Sequence, residues 1–269
     1  MVFRKDKRIL RPSGRMPIDR RTLKTLVAPI FLLLSLCNAV LAEETRIMLR
    51  VKGVDSKFVG SGVGGVRAVV EDAETGEILN QGWITGGTGD TKRLMETPHQ
   101  RGQPLADDNN TAGHLARLDL AEPRLLRFKI FGPYGQRQSL QEASVTSWVV
   151  PGKHIIGDGI VIHLPGFIVR GGISAPEKGQ AKLEAEVTMM CGCPISKGGL
   201  WDADKYEVKA LLKRDGNAVG EYPLAFTGEV NHFAAQVPAR DKGDYEAVIY
   251  AYDPGTGNTG VDRVVFGAK

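Results

Sequence analysis

Most of the chain after residue 42 alternates between apolar and polar positions with a period of two. The alternation is clear in residues 45–52, 66–72, 115–120, 125–131, 160–164, 182–189, 206–212 and 245–252. Because side chains of a β-strand point alternately to opposite faces of a sheet, this pattern predicts strands with one buried face each. Gly, Pro, Asn and Asp bound these segments, and no stretch has the spacing of an amphipathic helix of three turns. We therefore predict an all-β protein built from antiparallel sheets.

The length of the chain predicts two β-sandwich domains. It has 269 residues, and one sandwich takes about 100. Glycine and proline are dense between Arg170 and Gln180, which indicates a linker. We expect an N-terminal sandwich over 43–170, a linker over 171–180 and a C-terminal sandwich over 181–269. Within the first sandwich, residues 86–113 lack alternation and predict a long loop that is either functional or disordered.

Two stretches resemble known β-sandwich families. Residues 65–79 read as a strand followed by Asp-x-x-Thr-Gly-x-x-Leu, which resembles prealbumin-like and carboxypeptidase-regulatory-like domains. Residues 243–266 contain Gly-x-Tyr before an alternating strand and Gly-Asn-Thr-Gly before the last one, which resembles the closing hairpin of bacterial immunoglobulin-like domains. The resemblances imply a prealbumin-like first domain and an immunoglobulin-like second one. Domains of the latter family serve chiefly in binding, spacing or assembly.

The first 42 residues have the features of a secretory signal peptide. A basic region through Lys24 precedes an apolar run from Leu26 to Leu36, and Val40 and Ala42 form a small-residue cleavage site before acidic residues. The apolar run is too short for a membrane span. We therefore expect cleavage after Ala42 and a periplasmic or secreted mature protein without a membrane span.

The charge distribution argues against a nucleic-acid partner. The chain has 35 Lys and Arg against 31 Asp and Glu, and nine of these bases but only two of the acids lie in the first 42 residues. The rest of the chain carries a net charge of −3, whereas nucleic-acid binding calls for a basic surface. We expect a protein partner in the cell envelope instead.

The most unusual chemical feature is the segment Met189-Met190-Cys191-Gly-Cys193, which holds both cysteines of the mature chain. The glycine and the proline after Cys193 end a strand, so the cysteines are expected in a turn. In an oxidising compartment three interpretations remain open: a local disulfide, a soft-metal site and a redox-active dithiol. Two thiolates with a thioether suit Cu(I). If the turn holds a metal, the expected ligands are Cys191, Cys193, Met190 and Met189, and copper is the candidate cofactor.

Other motifs do not form a catalytic site in the sequence. Residues 60–65 match G-x-G-x-x-G, but a strand follows where dinucleotide binding needs a helix. Asp202, Asp204, Asp253 and Asp262 are of the residue type that holds Ca²⁺, yet their positions suit turn acids better. No motif combines an acid, a base and a nucleophile, which argues against an enzyme acting through residues 86–113.

These observations lead to two hypotheses of function. The first is a non-catalytic exported binding or accessory protein in which the Cys-Gly-Cys turn is a metal or partner contact. The alternative is a periplasmic Cu(I)-binding metallochaperone-like protein or a thiol redox protein that acts through Cys191 and Cys193.

Overall fold

The structure is a computed structural model that describes residues 41–106 and 110–268. Its strands are β1 Glu43–Gly53, β2 Val66–Asp72, β3 Ile78–Thr88, β4 Thr111–Leu120, β5 Arg124–Gly132, β6 Gln141–Val149, β7 Ile155–Leu164, β8 Phe167–Ile173, β9 Gln180–Met189, β10 Glu207–Arg214, β11 Asn217–Pro223, β12 Ala225–Phe226, β13 His232–Pro238, β14 Gly243–Tyr252 and β15 Thr259–Ala268. Short helical turns cover Ser61–Val63, Lys92–Glu96, Arg137–Ser139 and Ala203–Lys205. The all-β prediction is confirmed, since each predicted segment lies in a strand apart from Tyr206, which stands just before β10.

The predicted signal peptide lies outside the described residues, except for its last two positions. Residues from Ala42 onward form one compact unit. Within the described ranges, no helix is both long enough and apolar enough to cross a membrane.

The first half of this unit is one seven-stranded sheet in the order β6-β5-β2-β3-β4-β1-β7. Neighbouring strands are antiparallel except for β1 and β7, which run parallel. This pair departs from the purely antiparallel prediction because it joins the first and last strands of the half, which no hairpin connects. Strands from both ends of the order bury their inward residues in one core, among them Ile47, Leu49, Val70, Leu126, Phe128 and Ile162. The sheet therefore curls around that core.

The second half is a β-sandwich of two four-stranded sheets. Their orders are β11-β10-β14-β15 and β12-β13-β9-β8. Alternate residues of both sheets form a second core that includes Val169, Leu183, Val187, Leu212, Ala247 and Ile249. The period-two alternation seen in the sequence thus corresponds to the buried face of each strand.

The predicted linker over 171–180 is wrong. β8 runs through Ile173 and pairs antiparallel with β9, so the Gly- and Pro-rich stretch is mainly the turn of a hairpin inside the second half. Glu177 and Gln180 close that turn with two backbone hydrogen bonds of 2.7 and 3.0 Å. Glycine and proline indicate a turn and a linker equally well. The halves are instead joined by Pro165 and Gly166, between β7 and β8. Independent folding of the two halves stays a prediction.

The predicted loop over 86–113 is shorter than expected. β3 extends to Thr88 and β4 begins at Thr111. The Asp158 carboxylate accepts hydrogen bonds from the backbone N–H groups of Leu105 at 2.9 Å and Ala106 at 2.7 Å. The described part of the loop is therefore anchored to β7.

Both hairpins predicted from turn chemistry are present. The Asp72 carboxylate accepts hydrogen bonds from the N–H groups of Glu74 and Thr75 at 2.9 and 2.8 Å and shapes the β2–β3 turn. β14 and β15 pair antiparallel along their whole length. The assignment of these hairpins to the two families that they resemble stays a prediction.

One carboxylate near the first core has two basic partners. Glu71 lies 2.9 Å from Lys129 Nζ and 2.9 Å from Arg127 Nη1. Hydrogen bonds from the lysine and then the arginine hold the pKa of Glu71 below its usual value. The three side chains tie β2 to β5.

Candidate functional site

The Cys-Gly-Cys turn follows β9 and is closed by a disulfide. Cys191 and Cys193 are joined, with their Cα atoms 5.3 Å apart. Gly192 N–H donates to the Met189 carbonyl at 2.7 Å, and Met189 N–H donates to the Cys193 carbonyl at 3.1 Å. Gly192 has a φ of 76°, in the left-handed region that favours glycine. The covalent bond and the two hydrogen bonds fix the shape of the turn.

The four predicted metal ligands do not converge on one point. The sulfur atoms of Cys191 and Cys193 are bonded to each other. Met189 packs with the cysteines in the core of the second half, whereas Met190 is buried in the core of the first half. Successive residues of an extended chain point to opposite sides, which explains the separation. The described ranges contain no group of three or more His, Cys, Asp or Glu side chains placed to hold a metal ion.

The four aspartates considered for Ca²⁺ have local roles. Three of the carboxylates accept hydrogen bonds of 2.6–3.2 Å from nearby groups: Asp202 from Gly198 and Asp204, Asp253 from Gly255 and Thr256, and Asp262 from Gly171 and Gln138. The Asp204 carboxylate lies 3.4 Å from Lys197 Nζ in an ion pair. The backbone N–H of Gly198 and then that of Asp204 lower the pKa of Asp202. These carboxylates shape turns and join strands.

A cleft of about 150 Å³ lies where the Cys-Gly-Cys turn meets two loops of the first half. We call it the junction cleft. The first half contributes Gly62, Val63, Gly135 and Gln136 to its walls, and the second half contributes Ile168, Arg170, Glu186, Thr188 and Gly192.

Close packing of glycines forms the floor of the junction cleft. A Cβ atom on Gly192 would lie 2.8 Å from Val63 Cγ1, and one on Gly64 would collide with the backbone of Gly135. Gly135 N–H donates to the Val63 carbonyl at 2.9 Å. Gly64, at a variable position of the G-x-G-x-x-G segment, and Gly192 therefore allow two loops and the turn to pack together, whereas a Cβ atom on the motif glycine Gly62 would meet open space.

The polar groups at the cleft come from the paired strands β8 and β9. Arg170 and Glu186 are cross-strand partners, and Arg170 Nη1 lies 3.3 Å from Glu186 Oε2. Gln136 Nε2 donates to the Val169 carbonyl at 3.4 Å. An exposed ion pair of this kind adds only about 0–1 kcal/mol to stability. Breaking this ion pair would therefore cost the fold little.

A second set of contacts holds the two halves together away from the cleft. Trp201 Nε1 donates to the Asp55 carbonyl at 2.8 Å, and Asn258 Nδ2 donates to the Val54 carbonyl at 3.0 Å. Burial, and next the Asp253 carboxylate, raise the pKa of Asp55. These hydrogen bonds help to set how the halves meet, and so the shape of the cleft.

Sequence reasoning missed an exposed aromatic pair beside the cleft. The rings of Trp83 and Tyr134 have their centroids 5.0 Å apart at an interplanar angle of 70°. Trp83 is 49% exposed and Tyr134 is 43% exposed. In the sequence, Trp83 alternates with the polar residues Gln81 and Thr85, which occupy outward positions of β3. An aromatic residue on an otherwise polar strand face could have indicated an exposed binding surface.

Comparisons with known proteins place the chain in no family. No family model matches it, and no curated protein does. Among solved structures, the chicken interferon gamma receptor alpha chain is similar at 11% identity and a TM-score of 0.32, over 76% of this chain and 84% of that one.

Two bacterial glycosidase structures are also similar. A Parabacteroides merdae β-glucuronidase has 10% identity and a TM-score of 0.22, and Bacteroides uniformis β-glucuronidase 3 has 10% identity and a TM-score of 0.20. Each match covers 84% of this chain but only 24% or 25% of the glucuronidase. At such TM-scores none of these likenesses says anything about function, and the all-β class rests on the strands themselves.

Proposed function

We propose that the chain is a non-catalytic exported binding or accessory protein that contacts a protein partner in the cell envelope through the junction cleft. The observation that carries the proposal is the position of the Cys-Gly-Cys turn. Gly192 is exposed at the wall of the cleft, while the disulfide-bonded cysteines on either side are buried. The unusual sequence feature and the cleft are thus one site.

Rigidity supports a binding role. The disulfide and backbone hydrogen bonds hold the turn, and hydrogen bonds between loops hold the opposite wall. A surface that is already ordered loses less conformational entropy when a partner binds. Arg170 and Glu186 add charges of both signs at the rim, where they can select a partner by complementary charge.

The size of the cleft supports a protein partner over a small substrate. Pockets for small molecules usually measure about 300–1,000 Å³, whereas this cleft measures about 150 Å³. A single side chain presented by another protein fits such a volume. The surrounding polar groups can then bind the backbone or neighbouring side chains of that partner.

The leader pattern supports the exported location. Cleavage after Ala42 leaves a chain that begins at Glu43. Intact-mass analysis of the protein from the cell envelope or medium tests this, and recovery of a chain that retains residues 1–42 would contradict it.

Site-specific photo-crosslinking tests the contact. A photoreactive residue at Gln136 faces the cleft, and one at Val219 is the matched control, because Val219 is 41% exposed on β11 and does not line the cleft. We expect a discrete adduct with another envelope protein from position 136 and none from position 219. Equal adducts from both positions, or none from either, would count against the proposal.

A further inference from the structure

A second pocket lies on the outward face of the first half, next to the aromatic pair. It measures about 330 Å³ and is lined by Ser61, Gly64, Gly65, Trp83 and Thr85. We call it the aromatic pocket. Its lining residues are all different from those of the junction cleft, so the two sites can be tested separately.

The backbone fixes the Trp83 ring at this place. Trp83 lies directly across from Arg67 on β2, and its ring packs over Gly65, where a Cβ atom would lie 3.4 Å from Trp83 Cε3. Tyr134 N–H donates to the Gly65 carbonyl at 3.1 Å, which brings the second ring against the first. Both rings are therefore held in place while large parts of them remain in contact with solvent.

Neutral hydrogen-bonding groups surround the rings. The Ser61 and Thr85 hydroxyls line the pocket, and none of the five lining residues carries a charge. Ser61 Oγ accepts a hydrogen bond from Gly86 N–H at 3.1 Å, which leaves its own hydroxyl hydrogen to donate elsewhere. Nearby, Arg67 Nη2 donates to Gln81 Oε1 at 2.6 Å, so this guanidinium is partly engaged.

The chemistry of these groups selects one class of ligand. A purely apolar ligand would cover the hydroxyls and leave them without partners, at a cost in free energy. An ionised ligand would find no opposite charge among the lining residues. The ligand must therefore be uncharged and must form hydrogen bonds as well as apolar contacts. A sugar ring does both, because it presents C–H groups to an aromatic face and neutral hydroxyl groups at its edge.

We propose that the aromatic pocket binds a neutral oligosaccharide, with one pyranose ring against Trp83, which Tyr134 supports from its edge, and with its hydroxyl groups toward Ser61 and Thr85. The volume agrees with this ligand, since it falls within the range of about 300–1,000 Å³ usual for small-molecule sites. This binding site goes beyond the proposed protein contact and does not depend on it.

The test is a titration of the mature full-length chain with neutral hexasaccharides built from glucose, xylose, mannose or N-acetylglucosamine. A hexamer of galacturonic acid supplies the charged comparison. Calorimetry gives the affinity, and the part of the tryptophan fluorescence change that is lost in Trp83→Ala reports the environment of Trp83. We expect at least one neutral hexasaccharide to bind and the acidic one to bind more weakly or not at all.

Trp83→Ala and Trp148→Ala form a matched pair of variants. Trp148 is 61% exposed on the edge strand β6 and does not line the pocket. Trp83→Ala removes the ring that the sugar contacts and should weaken binding about tenfold or more, while Trp148→Ala should leave the affinity unchanged. Trp83→Phe keeps a ring and should bind with intermediate affinity, which separates loss of contact from loss of folding.

Three results would overturn the proposal. One is the absence of binding by every neutral hexasaccharide at millimolar concentration. Another is an equal loss of affinity in the Trp83 and Trp148 variants. The third is concentration-dependent self-association that Trp83→Ala abolishes, because the pocket would then be covered by a second copy of the chain.

Discussion

Replacing Met190 by alanine tests how the two halves are connected. Met190 follows β9 in the second half, yet its side chain is fully buried in the core of the first half. The substitution removes the thioether arm from a site bounded by backbone. A Cβ atom on Gly53 would lie 3.2 Å from Met190 Cβ, and one on Gly166 would lie 3.1 Å from Met190 Cε. Backbone so close to the side chain cannot easily move inward to fill the space.

The expected loss follows from this packing. Buried Met→Ala substitutions cost about 2–5 kcal/mol, and a site that collapses only in part avoids the lowest values of that range. We expect Met190→Ala to lower the free energy of unfolding by about 3 kcal/mol. For a protein of this size, 1 kcal/mol corresponds to about 2–4 °C. Tm should therefore fall by about 6–12 °C.

Urea unfolding followed by tryptophan fluorescence and circular dichroism measures the loss. Met190→Leu keeps the apolar volume and should cost less than about 1.5 kcal/mol. A loss of under about 0.5 kcal/mol for Met190→Ala, as is usual for surface substitutions, would refute the buried position. It would also restore Met190 as an accessible candidate ligand.

Three further predictions follow from the strands, the charges and the disulfide. A fragment that begins at Pro165 should unfold cooperatively, whereas one that begins at Ser174 should not, because it lacks β8; equal behaviour would contradict the corrected boundary. Glu71 has a lowered pKa, so its stabilising effect is present above its ordinary pKa of 4.5 and is lost as the pH falls through the lowered value. Urea unfolding at several pH values should show that the difference in free energy of unfolding between wild type and Glu71→Gln shrinks as the pH falls from 4.5 through the lowered pKa of Glu71. A difference that stays constant would contradict this. In titrations against a Cu(I) chelator, only protein with reduced Cys191 and Cys193 should retain copper, and equal retention by oxidised protein or by the double Ser variant would exclude these ligands.

The sequence predicts local structure in this protein better than long-range structure. Period-two alternation identifies strands because burial of one face repeats along each strand. Asp72 and Gly76 identify a hairpin because they favour a turn between neighbouring strands. The β1–β7 pair joins strands far apart in the chain, and no local pattern encodes it. The stretch from Arg170 to Gln180 shows the same limit, since turn residues look alike inside a hairpin and between domains.

In the candidate site too, local features could be predicted from the sequence and long-range packing could not. The Cys-Gly-Cys segment was recognisable from its composition, and its position in a turn was predictable from Gly192. The opposite orientations of Met189 and Met190 also follow from strand geometry. Their burial in two different cores does not, because it depends on how the halves pack. Trp83 is exposed because, among the described residues, no strand covers it. Only the tertiary structure reveals this.

The most direct test of the junction cleft is to fill it and measure the affinity for the crosslinked partner. Thr188 lines the cleft, so Thr188→Trp places a large ring in a space of about 150 Å³. Val219→Trp adds the same ring on β11, away from the cleft. Calorimetry with the purified partner should show binding at least about tenfold weaker for Thr188→Trp and unchanged for Val219→Trp. An unchanged affinity for a folded Thr188→Trp protein would contradict the account.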